Sequence, residues 1–308
     1  MRGAPSAKAR SIRDSFAENR RLASVLGLAE SLVAAATLPL RWMWGEALLV
    51  YSLAELGAAL SPENPMESPC FAFAAAACDA WARQAHRVDQ SDTAAPALAL
   101  WAVQSRRGGH AYDPLLDRVI AYMQTEPRLH GDIPNHLGHS PEGRLYPKSI
   151  WVDSLMMLGL FPALYGYGTA GADPHGADPR DSNLRDLAAR LPAQFASLLQ
   201  DPESKLWRHA WWAGAQSATG RIFIPRGPFP ARPIFWARGN GWVIRALSLI
   251  MDALPEDHQE FPAVLKIFRE SSEALLRVQR PDGWFGTLLD EASYRESSAT
   301  LLVSGGWL

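Results

Sequence analysis

The chain has 308 residues, of which 48% are hydrophobic, and its formal net charge is -2 at pH 7. This length suits one large domain or two modest ones, and this apolar content supplies a core without disulfides or bound metal. The near-neutral charge argues against a nucleic-acid-binding protein, because such proteins carry broad basic surfaces. A small anionic ligand remains possible, because a few local arginines suffice to bind one.

The N-terminal segment is basic and precedes an apolar stretch from Leu22 to Leu40, a pattern that faintly resembles a signal peptide. Glu30 interrupts that stretch, however, and its apolar residues repeat at helical spacing. The residues with this spacing are Leu22, Val25, Leu26, Ala29, Leu32 and Val33. We therefore predict an amphipathic first helix in a cytoplasmic protein, and no other stretch of the sequence approaches a membrane span.

Most of the sequence alternates between helical patterns and loops. The predicted helices cover residues 8–36, 44–60, 69–87, 93–106, 113–125, 150–167, 184–200, 240–254, 258–279 and 295–303. Strand-like patterns are scarce, and Arg221-Ile-Phe-Ile is the best of them. Because no low-complexity linker separates two halves, we predict a single domain over residues 1–308. The long, tryptophan-rich loops favour helix pairs arranged in a ring over a plain bundle.

The two cysteines, Cys70 and Cys78, flank an Ala/Phe run that we predict to be one helix. Eight helical residues separate them by about 12 Å, which is too far for a disulfide. Neither a CxxC motif nor a His/Cys cluster indicates zinc. We predict buried thiols in a reducing compartment, and no metal site.

The first segment with candidate chemistry is residues 146–157, where Asp153 lies among Trp151, Val152 and Leu155 at the start of a hydrophobic helix. An aspartate near a helix start is most often a cap, and the segment alone favours that interpretation. An acid buried among aromatic rings would instead have its pKa raised by desolvation, as a general acid requires. Both interpretations remain open at this stage.

Two further segments, residues 206–212 and 235–243, are rich in tryptophan. In the second, Trp236, Arg238 and Trp242 surround a Gly-Asn-Gly turn. Aromatic faces stack on sugar rings, and an arginine fork pairs with a carboxylate. A single tryptophan is more often a core residue, but such dense clusters favour a carbohydrate site. The turn is not a phosphate loop, because it lacks the glycine spacing and the lysine.

A second carboxylate comes from residues 88–96, where Asp89 or Asp92 precedes a helix. The cap interpretation is strong for both residues. A like charge near Asp153 would raise the pKa of one member of the pair.

At these residues the chain resembles the unsaturated rhamnogalacturonyl hydrolases, glycoside hydrolase family 105, which is related to the unsaturated glucuronyl hydrolases of family 88. The motifs that carry the resemblance are Trp-Val-Asp at 151–153, Arg-His-Ala-Trp at 208–211 and Trp-Ala-Arg-Gly-Asn-Gly-Trp at 236–242. Weaker similarities are Trp42-Met-Trp-Gly-Glu46, the spacing from Asp92 to Pro96, Asp282-Gly-Trp284 and Tyr294-Arg-Glu-Ser-Ser298. The resemblance implies an all-α (α/α)6 toroid.

The resemblance also implies roles for individual residues. Asp153 would be the catalytic acid and Asp92 the second carboxylate, while Arg238 would bind the uronate carboxylate. The other implied substrate-binding residues are His209, Trp211, Trp236, Trp242, Trp151 and Trp44. A histidine upstream of Asp153 is also expected, and His130, His136 and His139 are the candidates, of which His139 is nearest in sequence. No metal or organic cofactor is implied.

The chemistry that this resemblance implies differs from ordinary glycoside hydrolysis. Family substrates are short oligosaccharides that polysaccharide lyases leave with a terminal Δ4,5-unsaturated uronic acid. Protonation at C4 and addition of water at C5 would release the neighbouring sugar without attack at the anomeric carbon. The rule that relates carboxylate separation to stereochemistry therefore does not apply. We expect a hydrolase of pectin-type oligosaccharides, with the linked sugar left open.

Family members continue beyond the Glu-Ser-Ser segment through further helix, whereas this sequence stops at Leu308. The resemblance therefore predicts a ring that lacks its last helix or helix pair. Three alternatives follow: the ring is open, a partner chain covers the exposed apolar faces, as in a homo-oligomer, or the chain is a truncated relic. Two rival functions remain: a non-catalytic carbohydrate-binding or scaffolding toroid, and a toroid glycosidase or epimerase that acts on saturated sugars.

Overall fold

The computed structural model describes residues 20–168, 179–216 and 223–308, most of which are helical. The chain divides into two compact units, one of Met1–Val88 with Thr93–Tyr122 and the other of Asp89–Asp92 with Met123–Leu308. The single domain therefore stays a prediction. Among the described helices, none has both the length and the apolar character that crossing a membrane requires.

Five long helices make up the described part of the first unit. They are α1 (Arg20–Ala35), α2 (Trp44–Leu60), α3 (Pro69–Ala82), α4 (Pro96–Arg107) and α5 (Asp113–Thr125), whose last turn extends into the second unit. Helix α2 packs against α3 so closely that a Cβ on Gly57 would lie 2.6 Å from the backbone nitrogen of Phe71. Cys70 and Cys78 are buried free thiols on α3, as predicted.

Five further helices lie in the described part of the second unit. They are α6 (Leu160–Gly168), α7 (Pro179–Leu199), α8 (Ala237–Ala253), α9 (Phe261–Val278) and α10 (Ser297–Trp307). Helix α10 packs along α8 through a glycine on each helix, because a Cβ on Gly241 would meet Leu302 at 3.0 Å and one on Gly306 would meet Ile244 at 2.6 Å. The core beside this contact contains Leu206, Phe235, Leu275, Phe285 and Val303.

Short strands occupy the loops of the second unit. They are β1 (Arg128–His130), β2 (Ile133–Pro134), β3 (Ser149–Trp151), β4 (Ala210–Trp212), β5 (Ala215–Gln216), β6 (Phe223–Ile224) and β7 (Gly227–Phe229). Strands β3, β4 and β7 form an antiparallel sheet with β4 in the middle. Single turns of helix lie at Pro65–Glu67, Ser91–Ala94 and Glu142–Arg144.

The predicted helix over residues 150–167 is wrong in its first half. Residues 149–151 form strand β3 because they pair with β4, and a π-helical turn at Leu155–Gly159 leads into α6. A π-turn widens the helix by one residue per turn and is frequent at functional sites. The predicted helix over 69–87 ends earlier, at Ala82. The predicted start of the first helix at residue 8, and the first two residues of the strand predicted at 221, lie outside the described residues.

Candidate active site

The three-stranded sheet of the second unit positions the segment that contains Asp153. Trp151 lies opposite Ala210, and Ile150 lies opposite Trp211. Just beyond the strand, the backbone N–H of Val152 donates to the carbonyl of His209 at 2.9 Å. The sheet therefore holds the two sequence segments, 151–153 and 208–211, side by side.

The carboxyl of Asp153 is mostly buried, with 17% of its side chain exposed. Its backbone carbonyl accepts hydrogen bonds from the N–H groups of Met156 and Met157, both at 3.0 Å. Its Oδ2 atom is buried and accepts no hydrogen bond from the residues that the structure describes. A capping carboxylate would accept such bonds from the helix start, so this geometry favours the acid interpretation over the cap.

Asp92 lies close enough to Asp153 for their charges to interact. Burial and the charge of Asp153 raise the pKa of the Asp92 carboxyl to about 6. Asp92 is 20% exposed and lies in the single helical turn at Ser91–Ala94. The like charges of two close carboxylates favour the retention of one proton by the pair.

His136 is the histidine that lies beside Asp92. Its Nε2 atom lies 3.8 Å from Oδ1 of Asp92, and its Nδ1 atom lies 2.7 Å from the hydroxyl of Ser154. Ser154 donates its proton to Ser91 at 3.1 Å, so its oxygen accepts the proton on Nδ1 of His136. This arrangement leaves Nε2 as an acceptor that faces Asp92.

The imidazole of His136 is neutral at ordinary pH. Burial, together with the nearby His209, lowers the pKa of His136 to about 4, although the charge of Asp153 opposes the shift. The ring is 2% exposed and stacks on Trp151, with centroids 4.3 Å apart and planes at 9°. A stacked, hydrogen-bonded ring in this position has one orientation available to it.

A second series of contacts leads from Asp153 to Arg238. The Nε2 atom of His209 lies 3.5 Å from Oδ2 of Asp153, and its ring centroid lies 5.4 Å from that of Trp151 and 4.8 Å from that of Trp236. The guanidinium of Arg238 lies 4.5 Å from the centroid of the Trp236 ring. The structure thus brings these five predicted site residues into one connected cluster.

Arg238 also acts on a carboxylate of its own chain. Burial alone would raise the pKa of Glu296, but hydrogen bonds from Ser298 and Thr287 and the charge of Arg238 bring it below its ordinary value. The Thr287 hydroxyl donates to Glu296 at 2.9 Å. Glu296 lies in the segment 294–298 that the resemblance marked, and it holds a negative charge near Arg238.

The Gly-Asn-Gly turn shapes the site through packing. A Cβ on Gly239 would lie 2.9 Å from Val152 and 3.1 Å from the Trp236 ring, so only glycine fits without a shift. The buried amide of Asn240 accepts from the N–H of Trp207 at 2.8 Å and donates to the carbonyls of Trp207 and Trp236, both at 3.0 Å. This motif locks the start of α8 against the segments that carry Asp153 and His209.

The other predicted residues lie elsewhere. Among the three candidate histidines, His136 rather than His139 faces the carboxyl pair, because His139 pairs with Glu126 at 2.7 Å. Trp211 points to the opposite face of the sheet from Trp151, because side chains alternate along a strand.

Trp242 is buried on α8, one turn after Arg238. Trp44 begins α2 in the first unit and is 37% exposed. Sequence reasoning missed Ser91 and Ser154, whose hydroxyls belong to no motif. Trp212 lies on the same face of the sheet as Trp151, because it pairs with Ser149.

No group of three or more histidine, cysteine or acidic side chains within the described ranges is arranged to hold a metal ion. The absence of a cofactor stays a prediction.

The sequence profile of Glycosyl Hydrolase Family 88 matches residues 28–305, which is most of the chain. The chain belongs to this family. Two curated proteins are similar to parts of this family 88 chain. An "Unsaturated 3S-rhamnoglycuronyl hydrolase" of Alteromonas sp. (strain LOR) is 31% identical over 133 residues, covering 39% of this chain and 32% of the relative. The "Unsaturated rhamnogalacturonyl hydrolase YesR" of Bacillus subtilis (strain 168) is 29% identical over 179 residues, covering 58% of this chain and 45% of the relative.

Solved structures share the fold of the family 88 chain. A possible member of the GH105 family from Klebsiella pneumoniae has a TM-score of 0.70 at 22% identity, covering 99% of this chain and 75% of that one. The unsaturated glucuronyl hydrolase from Bacillus sp. GL1 has a TM-score of 0.62 at 14% identity, covering 85% of this chain and 66% of that one. The predicted all-α toroid is therefore confirmed as the fold class. The chain spans less than half the length of either curated relative.

Proposed function

We propose that this protein hydrolyses short oligosaccharides that end in a Δ4,5-unsaturated uronic acid, with Asp153 as the acid. The observation that carries the proposal is the meeting of Asp92 and Asp153 beside two histidines, with the pKa of Asp92 raised to about 6. The membership in a glycoside hydrolase family supports the proposal, as do the names of the two curated relatives.

In the first step the unsaturated ring stacks near Trp151 and Trp236, and its carboxylate pairs with Arg238. Asp153 gives its proton to C4 of the vinyl ether, and the C4–C5 π electrons form the new C–H bond. Positive charge then develops at C5 and on the ring oxygen. Asp153 is left as a carboxylate, which stabilises that charge at close range.

In the second step a water adds to C5, and its proton returns to the carboxylate of Asp153. The product is a hemiketal at C5, whose ring C–O bond breaks to give a ketone and a hemiacetal at C1. Collapse of that hemiacetal releases the neighbouring sugar as an alcohol and leaves an aldehyde. One water is consumed, and Asp153 ends as it began, protonated.

His136 and His209 hold this arrangement. His136, with its proton fixed on Nδ1, presents its unprotonated Nε2 atom to Asp92 at 3.8 Å, so it adds no positive charge that would draw the shared proton away from the pair. His209 lies 3.5 Å from Oδ2 of Asp153 and supplies the polar partner for the carboxylate that forms after proton transfer.

The proposal includes finer points. We assign the chain to the family 105 branch and to pectin-derived substrates, because one curated relative is named an unsaturated rhamnogalacturonyl hydrolase and a similar structure is described as a possible GH105 member. We also propose a cytoplasmic location, which the two buried free thiols at Cys70 and Cys78 support.

The test is Asp153→Asn, assayed with an unsaturated galacturonyl disaccharide through the loss of the ultraviolet absorbance of its double bond. We expect kcat to fall by a factor on the order of 10³ or more, because the amide has no proton of suitable acidity to give. Binding of a saturated analogue should persist. The matched control is Asp252→Asn, an exposed aspartate on α8, which should leave turnover unchanged.

Turnover by Asp153→Asn at the wild-type rate would remove that residue from the mechanism. Binding by the wild-type protein with no loss of absorbance would favour the non-catalytic carbohydrate-binding alternative. Activity on disaccharides that lack the double bond would favour a glycosidase that acts on saturated sugars.

A further inference from the structure

A wide groove lies in the second unit beside the cluster around Asp153. It has a volume of about 1010 Å³ and is lined by the loops before and after the single turn at Glu142–Arg144. Its lining includes the charged and aromatic side chains of Arg128, Arg144, Lys148, Tyr146, Glu126 and His139. This volume is ample for one or two sugar rings.

The groove concentrates positive charge in a chain whose net charge is -2. Its lining contains three cationic side chains, Arg128, Arg144 and Lys148, and a single carboxylate, Glu126. That carboxylate is buried, and the Nδ1 atom of His139 lies 2.7 Å from its Oε2 atom. The Glu126 carboxylate therefore already has a hydrogen-bond partner within the groove wall.

The three cations differ in their own contacts. Arg128 donates to the carbonyl of Met123, and its charge contributes to the lowered pKa of Asp132. Arg144 and Lys148 are exposed, and neither side chain makes a hydrogen bond or ion pair with any residue in the described ranges. These two side chains can turn to a ligand without breaking a bond of the fold.

Tyr146 joins the groove to the proposed site of reaction. It lines the groove, and its half-exposed ring lies 6.2 Å from the centroid of Trp151 and 6.5 Å from that of Trp212, edge-on to both. Trp151 in turn stacks on His136, which faces Asp92. A saccharide whose first ring lies at the carboxyl pair thus has an aromatic path into the groove.

We infer that this groove is a subsite for an acidic sugar, in which Arg144 and Lys148 bind a carboxylate or sulfate ester carried by the sugar next to the reacting ring. The inference rests on the proposed function for the position of that first ring. An extended anionic saccharide fits better than a neutral one, because each exposed cation on this short segment can form a charge-assisted hydrogen bond with an anionic group of the ligand.

The binding test uses saturated disaccharides, which the proposed reaction cannot consume. All begin with galacturonate, and the second sugar is neutral rhamnose, galacturonate or a sulfated rhamnose. We expect the wild-type protein to bind at least one of the acidic second sugars about tenfold more tightly than the neutral one by calorimetry at low salt. The better acidic ligand identifies whether the carboxylate or the sulfate is preferred.

The variants are Arg144→Ala, Lys148→Ala and the double variant. Each single change should lower the affinity for the acidic disaccharide about fivefold. The double change should lower it about tenfold or more, which abolishes the preference over the neutral disaccharide. The affinity for the neutral disaccharide should change by less than about twofold in each variant. Arg269→Ala, an exposed arginine on α9, is the matched control and should alter neither ligand.

The inference is overturned if wild-type protein binds all three disaccharides equally, or if the double variant keeps the preference. It is also overturned if the double variant loses neutral and acidic ligands alike. These outcomes are separate from the fate of the proposed function, since binding is measured without turnover. Absence of activity on unsaturated substrates, with the charge preference intact, would reject the reaction and retain the subsite.

Discussion

The Nε2 atom of His136 lies 3.8 Å from the Oδ1 atom of Asp92, while its Nδ1 proton is held by Ser154. A neutral, oriented acceptor therefore faces a carboxyl whose pKa is raised to about 6. The charge of Asp153 acts on the pKa of both groups, because it helps to raise that of Asp92 and opposes the lowering of that of His136.

Replacing Asp153 by Asn should lower the pKa of Asp92. Asp153 contributes a like charge that helps to raise the pKa of Asp92 to about 6, and the amide removes that charge while keeping the volume. Burial remains, so the value should stay above the ordinary 3.8. Carbon-13 NMR titration of labelled aspartate would measure it, and an unchanged pKa would mean that the two carboxyls do not interact.

Replacing Asp92 by Asn should change how stability depends on pH. The folded protein binds the Asp92 proton more tightly than the unfolded chain, since the pKa is about 6 in the fold against 3.8. The wild-type contribution is thus present below pH 3.8 and is lost as pH rises through 6. The variant lacks this loss. Between pH 4 and pH 7, its free energy of unfolding should therefore rise by about 2 kcal/mol relative to that of the wild type.

Urea denaturation across that pH range would measure the difference. Asp252→Asn, at an exposed site, should reproduce the wild-type slope. Parallel pH profiles for Asp92→Asn and wild type would contradict the raised pKa.

Replacing His136 by Gln should change the pH dependence of the free energy of unfolding in the opposite direction. The pKa of His136 is about 4 in the fold against 6.5 ordinarily, so the unfolded chain binds the proton first. Wild-type stability from this group is present above pH 6.5 and is lost as pH falls toward 4. The variant should therefore lose less stability on acidification than the wild type, by about 2 kcal/mol or more over that interval.

Thermal or urea unfolding at several pH values would check this prediction. Asp252→Asn, at an exposed position, again serves as the control and should keep the wild-type slope. If His136→Gln loses as much stability on acidification as the wild type, the pH dependence of stability comes from a group other than His136.

Replacing Gly239 by Ala should destabilise the fold by about 1–3 kcal/mol, the usual cost of overpacking. The added Cβ would lie 2.9 Å from Val152 and 3.1 Å from Trp236, so one of them must move. Because Val152 is adjacent to Asp153, turnover should also fall. Adding Val152→Ala to Gly239→Ala should restore part of the lost stability and part of the lost turnover.

Gly305→Ala is the matched control, because nothing lies within 4 Å of a Cβ at this position on α10. It should be neutral or slightly stabilising, as alanine is the better helix former. Equal losses in Gly239→Ala and Gly305→Ala would show that helix propensity rather than contact decides the effect.

The sequence predicts the helical character of the chain well, because apolar periodicity in helices such as α5, α8 and α9 reports directly on burial. It fails at residues 150–159, where the end of strand β3 and the π-turn at Leu155–Gly159 replace the first half of the predicted helix. The strand exists only because β4 pairs with it, and β4 lies some sixty residues later. A local pattern carries no information on that pairing.

The same reason explains the site. Asp153, His209, Trp236 and Arg238 could be proposed from their motifs, and the structure brings them together. The choice among His130, His136 and His139 could not be made by distance along the chain, because the loop folds back so that His136 returns to Ser149 and Ser154. Ser91 and Ser154 have no signature at all, since a hydroxyl acquires its function there only through its neighbours.

The contact of Gly239 with Val152 and Trp236 has an evolutionary consequence. The three positions share one fixed space, so volume gained at one has to be given up at another. Substitutions at residue 152, directly beside the acid, are therefore limited by a helix that begins more than eighty residues later in the sequence. We expect these three positions to change together in descendants of this chain.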